Sequence, residues 1–252
     1  MKKLAAALAL SLLPLAFAAQ AEITTTDVVG RKVTVPDVPK RVVLGFYYED
    51  YLAIAGPGSL DRVVGLSLTT WKDWRPKQFA AYEKALPKLK TLPDVGSTDD
   101  NTFSIEKLIA TKPDLLILAT FSYEALGESV KQIEAAGIPV LVLDYLSQTV
   151  DKHVASTLAL GKIMGQEKRA QELADNYRKA FEDIDARIKK AGPTKKKVYF
   201  ELAQKGASEV GNSYGNSMWG ALVTRLGGHN IADGQVGNWG PLSPEYVLSQ
   251  KP

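Results

Sequence analysis

The sequence predicts an α/β protein of two lobes, each with a mainly parallel sheet, joined by a long helix. Three observations carry that prediction. Short strands that are apolar on both faces alternate with helical segments through the first half, the pattern of a parallel sheet covered on both sides. A long stretch of helix formers without strand signals comes next, and then the strand pattern restarts at "KVYFELA" (197–203).

Before the first strand, "MKKLAAALALSLLPLAFAAQA" combines a basic start, an apolar run and Ala19-Gln20-Ala21. It reads as a secretory leader cut before Glu22. The run is too short, and holds Pro14, for a membrane span. Of the 252 residues, 45% are hydrophobic and 23% charged, ordinary values for a chain with a real core. Loss of Lys2 and Lys3 with the leader takes the 31 basic residues to 29 against 28 acidic ones, close to neutrality. There is no cysteine, hence no disulfide framework. A soluble periplasmic monomer is expected.

The segment 22–148 reads as the first lobe. "ITTTDVVGRKVTVP" is a hairpin signal around Asp27 to Gly30. "RVVLG" precedes the helical "EDYLAIAG", and "RVVGLS" follows it; "DLLILAT" precedes the helical "SYEALGESVKQIEAAG", and "PVLVLD" follows that. Residues 149–192 read as connecting helices, with Leu173, Tyr177, Ala180, Phe181 and Ile184 as one apolar stripe closed by Gly192-Pro193. From 193 to 252 a second α/β lobe begins. "FSIEKLIATKPDLLIL" (103–118) and "LSPEYVLSQKP" (242–252) align without a gap, pairing Ser104 with Ser243 and Glu106 with Glu245. The second copy ends where the first enters its buried strand. The expectation is a shortened form of a longer protein, its second lobe incomplete.

Several functions are not supported. No basic cluster interleaved with aromatics marks a nucleic-acid footprint, and "KKAGPTKKK" (189–197) reads as a solvated helix end and linker. No phosphate-binding or dinucleotide loop occurs. With only His153 and His229, both read as structural, no metal-ligand spacing is present. Gly211-Asn212-Ser213-Tyr214-Gly215 matches the G-x-S-x-G elbow of esterases. No acid lies between Ser213 and His229, and no histidine follows, so a triad in that chain order is missing.

The chain resembles the periplasmic substrate-binding proteins of ABC importers for ferric siderophores, haem and cobalamin. The resemblance covers the whole mature segment. It rests on "TDVVGRKVTVPDVPKRVV", "DVGSTDDNTFSIEKLIATKPDLLIL", "IEAAGIPVLVLD", "GGHNIAD" and "LSPEYVLSQKP", in that order and spacing. It implies two lobes on one backbone helix with a small hinge motion, no enzymatic activity, and partners in an inner-membrane permease and its ATPase. It also implies that Glu106 and Glu245 dock onto arginines of the two permease subunits.

In open α/β sheets ligands lie beyond the carboxyl ends of the strands. Those ends carry Phe46, Tyr47, Tyr48, Trp71, Trp74, Arg75, Phe121, Tyr123 and Tyr145, and the second lobe adds Tyr214, Trp219 and Trp239. Rings with Arg75 and Lys72 suit a large, flat, anionic ligand through stacking and charge-assisted hydrogen bonds. A ferric chelate is expected, with haem or cobalamin as the alternative; haem would take a tyrosine phenolate as axial ligand. No resident cofactor is expected.

Overall fold

The computed structural model describes residues 22–56, 58–192, 194, 196–202 and 211–252. The leader, part of the basic run and Ala203 lie outside the described residues. Strands β1 (Ile23–Thr26) and β2 (Lys32–Val35) form the expected antiparallel hairpin, with Ile23 opposite Val35. Its turn is tied by the buried Asp27 carboxylate, which accepts from the Val29 and Arg31 amides and pairs with the Arg31 guanidinium at 2.8 Å. Arg31 also donates to the Val140 carbonyl, pinning the hairpin to the end of the main sheet.

That sheet holds β3 (Val42–Leu44), β4 (Val63–Leu66), β5 (Leu115–Ala119) and β6 (Val140–Leu143), all parallel, in the order β4-β3-β5-β6. Two-residue periodicity splits it into two cores. Leu44, Ile117, Ala119, Leu141 and Leu143 share one buried cluster; Val43, Leu116, Leu118, Val140 and Val142 share the other. Both faces are therefore covered, as the apolar strands require. The first face carries α1 (Tyr48–Ala55), α2 (Leu68–Trp74) and α3 (Pro76–Ala85); the second carries α4 (Ile105–Ala110). The 122–137 stretch, read as one helical segment, is two helices, α5 (Thr120–Leu126) and α6 (Ser129–Ala135). Gly127, at φ 49°, breaks it.

Next come α7 (Val150–Ile163) and the 25-residue α8 (Glu167–Ala191), which is about 37 Å long. Gly161 lets them touch, because a Cβ there would collide with that of Ala170. The stripe predicted on α8 is only partly covered. The buried residues of α8 are Ala170 and Ala174, outside that stripe, while Leu173 and Ile184 within it remain 37% exposed. Farther along, Arg225 lies 4.5 Å over the Phe181 ring and makes two hydrogen bonds to Asp185.

The second lobe contains β7 (Lys197–Val198), β8 (Asn212–Tyr214), α9 (Met218–Arg225), β9 (His229–Asn230), β10 (Trp239–Pro241) and α10 (Pro244–Gln250). β7 and β9 pair in parallel; β8 and β10 pair antiparallel, a ribbon that the sequence reading does not contain. Buried Asn230, from "GGHNIAD", donates to the carbonyls of Tyr214 and Gly215 and accepts from the Ala232 amide, linking the two pairs. No described helix is long and apolar enough to cross a membrane.

Candidate functional site

A pocket of about 160 Å³ opens beyond the carboxyl ends of β3, β4 and β6. All its lining residues lie between 46 and 148, and Tyr47, Tyr48, Trp71, Trp74, Arg75 and Tyr145 are among them. Tyr47 caps α1 in the left-handed conformation (φ 58°, ψ 46°), uncommon for a residue with a side chain. The surrounding packing holds it there: its hydroxyl accepts from the Tyr145 amide at 3.1 Å, and the two rings meet edge-on at 5.0 Å. Tyr48 stacks on Trp71 at 4.7 Å and donates to the Ser67 carbonyl at 2.6 Å. These four rings are buried and form the floor. Trp74, 47% exposed, and Arg75 form the rim.

Burial raises the Tyr47, Tyr48 and Tyr145 phenols well above their usual range, so they stay neutral at working pH. The pocket also holds residues that the sequence reading passed over. Glu49 accepts from the Trp71 indole at 3.1 Å and faces the Arg75 guanidinium at 3.6 Å. Asp50 beside it is pushed up to about 6, chiefly by burial and then by the Glu49 charge. Thr70 is buried, and its hydroxyl has no hydrogen-bond partner. Glu49 and Asp50 follow Tyr47-Tyr48 directly at a strand end, so the rule that found the rings also marks them; they were read as a helix start. Arg75 thus sits in a pocket with two carboxylates, which weakens the case for a strongly anionic ligand.

The remaining ring candidates lie elsewhere. Phe121 packs edge-on against Phe46 at 5.0 Å, in the core below the pocket. Tyr123 lies under the Arg31 guanidinium and packs against the other core cluster. Tyr214 is buried in β8; Trp219 stacks on Phe200 at 5.8 Å, and Trp239 is 57% exposed opposite Tyr214. None of these five lines the pocket.

Glu106 and Glu245 are exposed in the first turns of α4 and α10. Each follows a serine cap: Ser104 accepts from the Lys107 amide and Ser243 from the Tyr246 amide. Hydrogen bonds from its own amide and then from the Ser104 hydroxyl hold the Glu106 carboxyl below its usual range. His153 stacks on Tyr177 at 3.7 Å, and burial lowers it to about 4. Among the described residues no three His, Cys, Asp or Glu side chains gather as a metal site. The esterase alternative is corrected here. Ser213 is buried within strand β8, not on a strand-to-helix turn, and its hydroxyl donates to the Phe200 carbonyl at 2.7 Å.

Residues 43–252 match the family model described as periplasmic binding protein. The chain belongs to that family. This binding protein is similar to the TroA-like periplasmic binding protein FepB of Veillonella parvula. The structures agree with a TM-score of 0.80 at 31% identity, over 91% of this chain and 68% of that one. It is 26% identical over 231 residues to the uncharacterized ABC transporter substrate-binding lipoprotein YvrC of Bacillus subtilis, covering 91% of this chain and 67% of the relative. The molybdate-binding protein MolA of Haemophilus influenzae is 26% identical over 258 residues, covering 94% and 69%. The family binds rather than transforms its ligands and works outside the cytoplasm.

Proposed function

We propose that this binding protein captures a metal chelate of the iron(III)–siderophore kind and delivers it to an inner-membrane ABC permease and its ATPase. The observation that carries the ligand class is the ring-floored pocket beyond the strand ends, with Trp74 open at its rim. Such a surface grips an organic ligand shell by stacking, whereas a bare ion needs converging donors. At about 160 Å³ the pocket suits one face or arm of a ligand rather than the whole. Haem held by a phenolate is the weaker reading, because burial disfavours ionising the three pocket tyrosines and their hydroxyls are turned to backbone or Thr157 partners.

Delivery rests on the resemblance and on the matched Ser-capped helix starts of α4 and α10. A carboxylate in a first turn also favours the helix by about 0.3–1 kcal/mol, so docking and capping are compatible roles for Glu106 and Glu245. Tryptophan-quenching titrations test the ligand class, since Trp71 and Trp74 report on the pocket. Ferric trihydroxamate, ferric tris-catecholate, haem, cobalamin and molybdate would be compared. Saturable quenching by a ferric chelate at micromolar or lower concentration is the expected result. Quenching by molybdate alone, or by none of the chelates, overturns the proposal.

A further inference from the structure

We infer that Asp50 and Thr70 form the polar anchor of the pocket, and that this anchor takes a hydrogen-bond donor on the ligand. The site then favours chelates bearing an ammonium, amide or hydroxyl arm over those bearing a carboxylate. The inference deepens the proposal above and rests on its reading of the pocket as a chelate site.

The argument is an accounting of polar groups. Twelve residues line the pocket, and Arg75 is its only cation among them. That guanidinium faces Glu49 at 3.6 Å, and Glu49 is oriented by the Trp71 indole at 3.1 Å. Glu49 and Arg75 thus offset each other. Asp50, partly buried, is left over: among the described residues it makes no ion pair and accepts only from its own backbone amide, with the Arg75 charge acting on it at longer range. Thr70 is left over as well, 2% exposed with an unpartnered hydroxyl. A buried polar group without a partner is costly, and a ligand that supplies one recovers that cost on binding.

An acceptor-only carboxylate lining the same pocket as a hydroxyl that can accept and donate calls for a proton donor. An ammonium satisfies both charge and geometry, a neutral amide or alcohol satisfies geometry alone, and a carboxylate meets repulsion from Asp50 and Glu49. The Asp50 charge is felt at the phenols of Tyr47, Tyr82 and Tyr145, and His153 packs edge-on against Tyr145. The phenols remain neutral across working pH, and burial keeps His153 neutral above about 4. From pH 5 to 8 the local charge therefore changes at Asp50.

A matched set of ligands isolates this effect. One linear ferric trihydroxamate is used with three tails: a free ammonium, its N-acetyl form and its N-succinyl form. Affinities are read by tryptophan quenching at pH 7.5 and pH 5 for the wild type, Asp50→Asn and Thr70→Val, with melting curves to verify folding. In the wild type at pH 7.5 the ammonium form should bind about tenfold or more tighter than the succinyl form, the scale of one hydrogen bond to a charged group. Asp50→Asn should reduce that ratio to about threefold or less at the higher pH, as should pH 5 in the wild type, while Thr70→Val should weaken the ammonium and N-acetyl forms together. A ratio that is flat in the wild type, or unchanged by Asp50→Asn, overturns the anchor and leaves the chelate reading standing. If none of the three binds while cobalamin or molybdate does, the chelate reading fails and the anchor with it.

Discussion

Asp50→Asn should make the protein more stable at neutral pH, by an amount that vanishes in acid. Asp50 titrates at 3.8 in an unfolded chain and near 6 in the folded one, because burial and Glu49 disfavour its charge. Between those values the folded state holds a proton that the unfolded state has released, so stability falls as pH rises. The loss is about 1.4 kcal/mol per pH unit, or about 3 kcal/mol in full above pH 6, and nothing below pH 4. His153 acts in the opposite sense. Burial lowers it from 6.5 to about 4, so the unfolded state takes up the proton first and stability falls as pH drops through that window. In the wild type the two contributions oppose each other between about pH 4 and 6. Asp50→Asn removes one and exposes the other. Urea unfolding at pH 4, 5, 6 and 7.5 measures the difference directly. The variant should gain about 2–3 kcal/mol at pH 7.5 and match the wild type at pH 4. A constant offset across the series, or a loss at pH 7.5, would refute the claim that Asp50 is a desolvated, unpaired carboxylate.

Other predictions follow from the same geometry. Trp74→Ala should weaken chelate binding by about three- to tenfold with an unchanged melting temperature, since the ring is exposed at the pocket rim; equal affinity in a titration would assign it to the protein surface. Arg75→Ala should reduce affinity for an anionic chelate more than for a neutral one, because Glu49 loses its counter-charge; the opposite order in the same titration would contradict this. In a permease-containing vesicle assay, Gln at both Glu106 and Glu245 should leave affinity and melting nearly intact and lower transport below either single change. Transport at the wild-type rate would reduce both glutamates to helix-start residues.

The first lobe was legible because its signals are local. Wholly apolar "VVL", "LLILA" and "VLVL" alternating with helical segments read as strands covered on both faces, and the two core clusters follow from their alternation. The α5–α6 break was also written locally, in Gly127, yet the helical periodicity on both sides masked it. The β8–β10 ribbon was not legible, because its strands are three residues each and pair across the intervening residues 215–238. For the site, the strand-end rule brought together Tyr47, Tyr48, Trp71, Trp74, Arg75 and Tyr145. It could not say which rings face inward, and Phe121 and Tyr123 packed into the two cores instead. The acids beside Tyr48 were missed for a physical reason: a carboxylate at a helix start has a sufficient explanation in the helix dipole, and only its desolvation sets Asp50 apart.

The central claim is that a chelate sits on the ring floor beyond β3, β4 and β6. Diffraction at the iron absorption edge, from crystals of the protein with a ferric trihydroxamate, tests it most directly. The account predicts one anomalous peak over the pocket, bordered by Trp74, Arg75 and Asp50. Bound iron at any other surface, with this pocket unchanged, would contradict it.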